Sequence, residues 1–309
     1  MAERKPSALL QRMEGVTVAL ATPLTKTGRL DGPALKRLIE RTIANGACCL
    51  FPLGWCGEQP MLPDEVREQV LRETCRIADG RLPVMAGVSE QSLPRALRWA
   101  KAAREAGADL ILATPPYSYP MPQEWLVKYF TDLASQSRMP LVVYQNDEVG
   151  VRLEPRTIAK LPNVPGVIGI KAYMPFVQVQ TAHHQAARKN RFAVMSGDES
   201  VFGPALLGGI RHFTMGGPGN LCLRACVDLY RTAVAGDWSG AADKHRRLVE
   251  FYDALYSPVP SAYVAVKYAM ARLKICEPFV TPPLQPLTTD QKKAVEKALK
   301  EFSDVVDPV

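Results

Sequence analysis

Three short stretches hold the side chains that could do chemistry. Residues 167–171 read Val-Ile-Gly-Ile-Lys, an apolar run that ends in a single lysine, Lys171. Burial at the end of such a run disfavours the ammonium form and leaves a neutral, nucleophilic amine. Residues 140–146 read Pro-Leu-Val-Val-Tyr-Gln-Asn, and the tyrosine near their end is Tyr144. A lysine and a tyrosine in one pocket can form a carbinolamine and move its protons. Residues 53–58 read Leu-Gly-Trp-Cys-Gly-Glu, so that Gly54 and Gly57 flank Trp55 and Cys56 just ahead of Glu58. Two glycines let the backbone turn its N–H groups inward and cradle a carboxylate. Together these groups suit a Schiff base between Lys171 and a 2-oxo acid, chemistry that calls for neither a metal nor an organic cofactor.

Repeated units must bring these stretches together. From Gly15 onward, short β-branched and apolar runs alternate with longer segments of helical period, the pattern of βα units around a parallel sheet. Eight strands are expected, at 16–22, 48–53, 83–88, 110–114, 141–145, 167–172, 192–196 and 212–215. Amphipathic helices run between them, for example 63–78, where Val66, Val70, Leu71, Cys75 and Ile77 line one side, and 93–106. Gly46 and Gly107 stand where a helix ends and the next strand begins. The fold class this predicts is α/β, a (β/α)8 TIM barrel over residues 15–222 with a C-terminal helical extension, residues 223–309, packed on it. Within the extension helices are expected at 224–235, 240–255, 262–273 and 290–302. A doubly wound open sheet is the alternative, but no glycine-rich dinucleotide fingerprint follows the first strand. In such a barrel the chemistry lies at the C-terminal ends of strands, and consecutive strands are neighbours, so Tyr144 is placed beside Lys171.

Composition narrows the partners. The 309 residues are 47% hydrophobic and 22% charged, enough apolar side chains for a sizeable core. The net charge of +7 is spread along helical stretches with no compact basic block carrying aromatics, which argues against nucleic acid. Seven cysteines, at 48, 49, 56, 75, 222, 226 and 276, are odd in number and sit mostly in apolar runs, so they read as reduced and the compartment as cytoplasmic. No run approaches about 18 apolar residues, and residues 1–14 lack a signal-type apolar core, so no membrane partner is expected. His183 and His184, adjacent on one helix, point about 100° apart and cannot share a metal from one face.

The order Gly-x-x-Gly-Glu (54–58), Thr-Pro-Pro-Tyr (114–117), Val-Val-Tyr (142–144), Gly-Ile-Lys (169–171) and Ser-Gly-Asp (196–198) resembles the dihydrodipicolinate synthase and N-acetylneuraminate lyase family over nearly the whole chain. The resemblance implies that Lys171 forms the Schiff base, usually with pyruvate, that Tyr144 shuttles protons, and that the 54–58 turn holds the keto-acid carboxylate. It also implies that Tyr117 reaches into a neighbouring subunit's site, hence a homodimer or homotetramer. Asn146, Gly197 after the seventh strand and Phe213 in the eighth complete the expected substrate pocket.

Two departures from the synthase pattern bear on the second substrate. Trp55 and Cys56 stand where the family usually has two threonines, removing hydroxyl donors and the middle of a hydroxyl relay. Asp147 and Glu148 follow Tyr144-Gln145-Asn146, with no arginine before Arg152. A pair of acids there would repel an anionic acceptor such as aspartate semialdehyde, so the chain is expected to be a poor dihydrodipicolinate synthase and closer to a lyase or hydro-lyase of keto-deoxy sugar acids, such as a keto-deoxyglucarate-type dehydratase. Two rivals stay open: a keto-acid-binding or regulatory barrel without turnover, and a phosphate-binding isomerase-type barrel using the glycine-rich loop 215–220.

Overall fold

The structure, a computed structural model, describes residues 6–186 and 192–308. Residues 1–5 of the segment read for a targeting signal lie outside the described residues, as do residues 187–191 and Val309 at the end of the expected extension.

Eight parallel strands are present: β1 (Gly15–Ala19), β2 (Cys49–Phe51), β3 (Met85–Gly87), β4 (Leu110–Ala113), β5 (Leu141–Asn146), β6 (Val167–Tyr173), β7 (Ala193–Ser196) and β8 (His212–Met215). Hydrogen bonding joins them in the order β2-β1-β8-β7-β6-β5-β4-β3. A parallel bridge between Leu50 and Val84 brings the two ends of that order together and closes the barrel. Apart from the half-buried Tyr173 and His212, every strand residue is buried, as expected of strands covered on both faces. The strands are shorter than their apolar runs at β1, β2 and β3. Beyond Ala19 the chain leaves the ladder toward Pro23, so apolar composition outlasts pairing.

The helices up to the eighth strand are α1 (Pro6–Arg12), α2 (Gly32–Ala44), α3 (Asp64–Ala78), α4 (Leu93–Ala106), α5 (Gln123–Ser137), α6 (Pro155–Ile158), α7 (Phe176–Ala186) and α8 (Phe202–Leu207). After β8 come α9 (Gly217–Leu221), α10 (Leu223–Val234), α11 (Trp238–Tyr256), α12 (Ala262–Arg272) and α13 (Thr289–Glu301). Their boundaries follow local chemistry. Asp31 caps α2 by accepting from Ala34 N at 2.9 Å, Thr288 and Gln291 form a capping box on α13, and Gly107 ends α4 at φ 94°, a left-handed conformation that glycine adopts without strain.

The inner side of α3 holds Val66, Val70, Leu71 and Ile77 as expected, but Cys75 is only half-buried and Arg67 is buried instead. The Arg67 guanidinium lies 3.7 Å from the centre of the Trp99 ring and 2.7 Å from Glu90, and these contacts allow a long cationic side chain a place in the interior. Beyond the strands, α10 packs on β1 and α8, α11 on α10 and α13, and α12 on α9 and α13. This arrangement sets the end of α11 and the start of α12 over one end of the barrel. No helix among the described residues is long and apolar enough to cross a membrane.

Candidate active site

A cavity of about 530 Å³ opens at the C-terminal ends of the strands, the end of a (β/α)8 barrel that carries chemistry. Its floor includes Ala19, Phe51, Tyr144, Lys171 and Thr214, and its roof Tyr252, Tyr256, Ser261, Tyr263 and Val266.

Lys171 is 6% exposed and faces this cavity from β6. The register pairs its Cα with Tyr144 on β5 and with Met195 on β7, so the neighbour relation expected from strand order is present. The Lys171 Nζ lies 3.7 Å from the centre of the Tyr144 ring. Burial pulls the amine down to about 7, against the opposing pull of Glu199 and Cys56. Gly197 makes room for it: a β-carbon there would stand 3.1 Å from Nζ, tight enough to press on the amine. The Tyr144 hydroxyl accepts from Asn146 Nδ2 at 3.2 Å, and burial pushes the phenol well above its ordinary pKa.

The 54–58 turn divides into lining and supporting residues. Trp55 and Cys56 line the cavity, whereas Gly54, Gly57 and Glu58 do not. The N–H groups of Gly57 and Glu58 close the turn itself, on Gly54 O at 3.1 Å and Trp55 O at 2.9 Å, so they cannot reach a ligand. Glu58 adopts a left-handed φ of 59° and turns its side chain inward to Lys267, 2.7 Å away. Its second oxygen accepts from Thr281 N at 2.7 Å. Its expected place on the substrate is therefore corrected to a buried brace beneath the turn. Phe213 is corrected too: it is fully buried, packs at a tilt against Phe202 at 4.4 Å between centres, and does not line the cavity. With period two along β8, the next residue, Thr214, is the one that faces the site.

The remaining expected residues differ in what they touch. Asn146 lines the cavity, but its Oδ1 accepts from Glu148 N at 2.9 Å and its Nδ2 serves Tyr144, so it orients the tyrosine. Asp147 does not line the cavity. It accepts from Gln145 Nε2 at 2.6 Å and faces Arg152 at 3.6 Å. Glu148 does line the cavity, as an exposed side chain beside Tyr173. Tyr117 lies one ring removed, edge-on to Trp55 at 5.8 Å, with its backbone N–H donating to Gln91 Oε1 at 3.1 Å.

Sequence reading missed Thr214 and Glu199. Thr214 Oγ1 and Trp55 Nε1 are buried with no hydrogen-bond partner among the described residues, so both cavity-lining side chains hold an unspent donor. Glu199 lines the cavity from the turn after β7 and accepts from Gly216 N at 3.4 Å. Burial raises its carboxyl to about 7, partly offset by its own backbone N–H and by Lys171. The residue next to Asp198 in the quoted Ser-Gly-Asp stretch was the signal for it. One N–H of loop 215–220, that of Gly216, is thereby engaged by Glu199 rather than left open to a phosphate. Asn220 ties the same loop to β1 through Ala21 N at 3.0 Å and Ala19 O at 2.9 Å.

Fold and site together define a barrel lyase of the class I aldolase type, one that works through a Schiff base. The chain belongs to the Dihydrodipicolinate synthetase family, whose model matches residues 12–302. Among curated proteins it is 32% identical to the 4-hydroxy-tetrahydrodipicolinate synthase of Ruegeria pomeroyi over 93% of this chain and 98% of the relative. It is 33% identical to the enzyme of the same name from Leptothrix cholodnii, over 93% and 97%. Among solved structures, YagE, an E. coli K12 prophage protein of the dihydrodipicolinic acid synthase family in complex with pyruvate, superposes with a TM-score of 0.88 at 25% identity, over 94% of this chain and 98% of that one. The expectation of a poor synthase finds no support in these names. The geometry also weakens its physical basis, since Asp147 turns away and Glu148 is exposed to screening solvent.

Proposed function

We propose that the chain condenses Lys171 with the carbonyl of a pyruvate-type 2-oxo acid and uses the resulting imine to make or break a carbon–carbon bond. The observation that carries this reading is the buried Lys171 amine, drawn down to about 7 and set under the Tyr144 ring in a cavity of about 530 Å³. A neutral amine attacks a carbonyl, and the protonated imine then serves as an electron sink for the bond that forms or breaks. Trp55 and Thr214 line the cavity with buried, unpartnered side-chain donors, and the keto-acid carboxylate would draw on them by turning either donor into the cavity. Incubation with pyruvate and borohydride, read by peptide mass, should add the reduced adduct at Lys171. Absence of that adduct with every member of a panel of 2-oxo acids and keto-deoxy sugar acids would overturn the reading.

Tyr144 exchanges a proton with the oxygen that becomes a hydroxyl when the new bond forms. Tyr144→Phe should lower turnover by roughly 10²-fold while imine trapping persists, and an unchanged kcat would remove the tyrosine from the mechanism.

The resemblance to the synthase branch makes aspartate semialdehyde the first acceptor to assay. An exposed carboxylate at the rim should cost an anionic acceptor no more than about 1 kcal/mol. Glu148→Gln is therefore expected to change kcat/KM for the semialdehyde by less than about fivefold, whereas a gain of 10²-fold would show that its charge guards the site. A homodimer or homotetramer is part of the proposal. Tyr119 and Trp125, at 73% and 62% exposure in the single chain and close in sequence to Tyr117, are the large apolar side chains that a second copy would cover.

A further inference from the structure

Imine formation has a proton requirement that Lys171 cannot meet alone. A neutral amine adds to the carbonyl, the carbon–nitrogen bond forms, and one nitrogen proton passes to oxygen to give the carbinolamine. The hydroxyl then leaves as water, and its departure takes up one further proton as the protonated imine forms. Summed, a neutral amine, a carbonyl and one proton give an iminium ion and water. In a buried site that proton must come from a group that holds one near neutrality and sits in the same cavity.

The hydroxyl relay that the family resemblance would supply is interrupted by Trp55 and Cys56. Tyr144 is poorly suited as the acid, because burial drives its phenol far above the neutral range. Glu199 has the right placement. It stands on the turn that follows β7, the strand paired with β6, and shares the cavity wall with Lys171, Cys56 and Gly216. Gly216 N holds one of its oxygens at 3.4 Å. Lys171 and Glu199 line the same cavity without an ion pair between them among the described residues, and each feels the other's charge.

We propose that Glu199 is the proton partner of Lys171: as a carboxylic acid it protonates the departing hydroxyl, and as the carboxylate so formed it pairs with the iminium nitrogen. The balance closes, since a neutral lysine, the substrate carbonyl and a protonated glutamate become an iminium ion, a carboxylate and water. This inference rests on the Schiff-base reading above.

Other titratable groups facing Glu199 are Cys56 after β2, Tyr144 on β5, Tyr173 on β6, Tyr252 and Tyr256 on α11 and Tyr263 on α12, together with its neighbour Asp198. Burial raises the thiol and the phenols of Tyr144, Tyr252 and Tyr256, and Tyr173 and the more exposed Tyr263 shift the same way, so none of them ionises near neutrality and the Lys171–Glu199 pair is left to titrate there. His245 of α11 is engaged elsewhere, at 3.4 Å from Gly203 N, and burial lowers its pKa.

The pair is competent when it holds one proton. Below about pH 7 the amine gains a second, and above it the carboxyl loses the first, so the rate of borohydride-trapped imine formation should be bell-shaped with its peak near 7. Glu199→Gln keeps the shape of the side chain but cannot donate a proton in this way. The peak rate should fall about 10²-fold, and the bell should give way to a profile that rises toward acid and levels off where the amine protonates, at lower pH than in the wild type because the Glu199 charge no longer raises Lys171. Glu199→Asp should restore the bell and part of the rate. Three results overturn the proposal: a Gln variant that keeps the wild-type rate, a Gln variant that loses rate but keeps the bell, or an Asp variant that restores neither. Absence of trapping in the wild type would instead sink the Schiff-base reading, and this inference with it.

Discussion

Replacing Lys171 by arginine is expected to abolish borohydride trapping of pyruvate and to lower turnover by about 10⁴-fold or more, the scale on which loss of a covalent nucleophile acts. The reason is chemical. A guanidinium does not give up its proton in proteins, so it cannot become the free amine that attack on a carbonyl demands. The change places a permanent positive charge beside Glu199, whose interaction with Lys171 is the larger of the two charge contributions at the amine and which can pair with it. Thermal unfolding and circular dichroism should therefore report a folded barrel. If the bulk of arginine destabilises the chain, Lys171→Met offers a smaller neutral replacement with the same predicted loss of trapping. An adduct that still forms in either variant, at any lysine within the cavity or outside it, would remove Lys171 from the role assigned to it.

The second large effect is expected far from the reacting atoms. Lys267 and Glu58 form an ion pair at 2.7 Å with side chains 1% and 2% exposed. Lys267 Nζ also donates to Thr22 O and, at 3.2 Å, to Phe279 O. One side chain of α12 thus ties together the loop after β1, the turn after β2 and the segment that leads toward α13. Breaking a buried pair by removing one partner costs about 3–5 kcal/mol, because the remaining charge keeps its desolvation penalty and loses its compensation. Lys267→Met should lower unfolding free energy by that amount in urea. It should also raise KM for the keto acid, since Trp55 and Cys56 lie on the turn that Glu58 anchors. Combining it with Glu58→Gln should recover part of the stability, as both charges are then gone. A loss below about 1 kcal/mol in the single variant would mean that solvent reaches Glu58 and that the brace carries little.

The same residue shows where sequence reading fails. Its place in the glycine-rich turn after β2 suits Glu58 either to the substrate or to the architecture of the turn, and nothing in its spacing says which way a side chain points once φ becomes positive. Its partner, Lys267, belongs to the Val266-Lys267 stretch that resembles the family, but it lies 209 positions away and no local pattern joins the two. Asp147 and Glu148 fail for a related reason. They are adjacent, and in an irregular loop adjacent side chains diverge, so one carboxylate meets Gln145 and Arg152 while the other meets the rim of the cavity.

What the sequence determined by itself is what periodicity and local chemistry control. Alternating apolar runs and amphipathic segments sufficed for eight strands and their helices, Gly107 for the end of α4, and chain order for the meeting of Lys171 and Tyr144, because a barrel sets consecutive strands side by side. Only the tertiary structure decided which groups surround that lysine. Thr214 rather than Phe213 faces inward because the register of β8 against β1 and β7 fixes its alternation. Glu199 enters the cavity because a turn after β7 carries it toward Gly216. Charges at such positions answer to partners distant in the chain, and the energy that places them, desolvation against a long-range contact, has no local pattern to betray it.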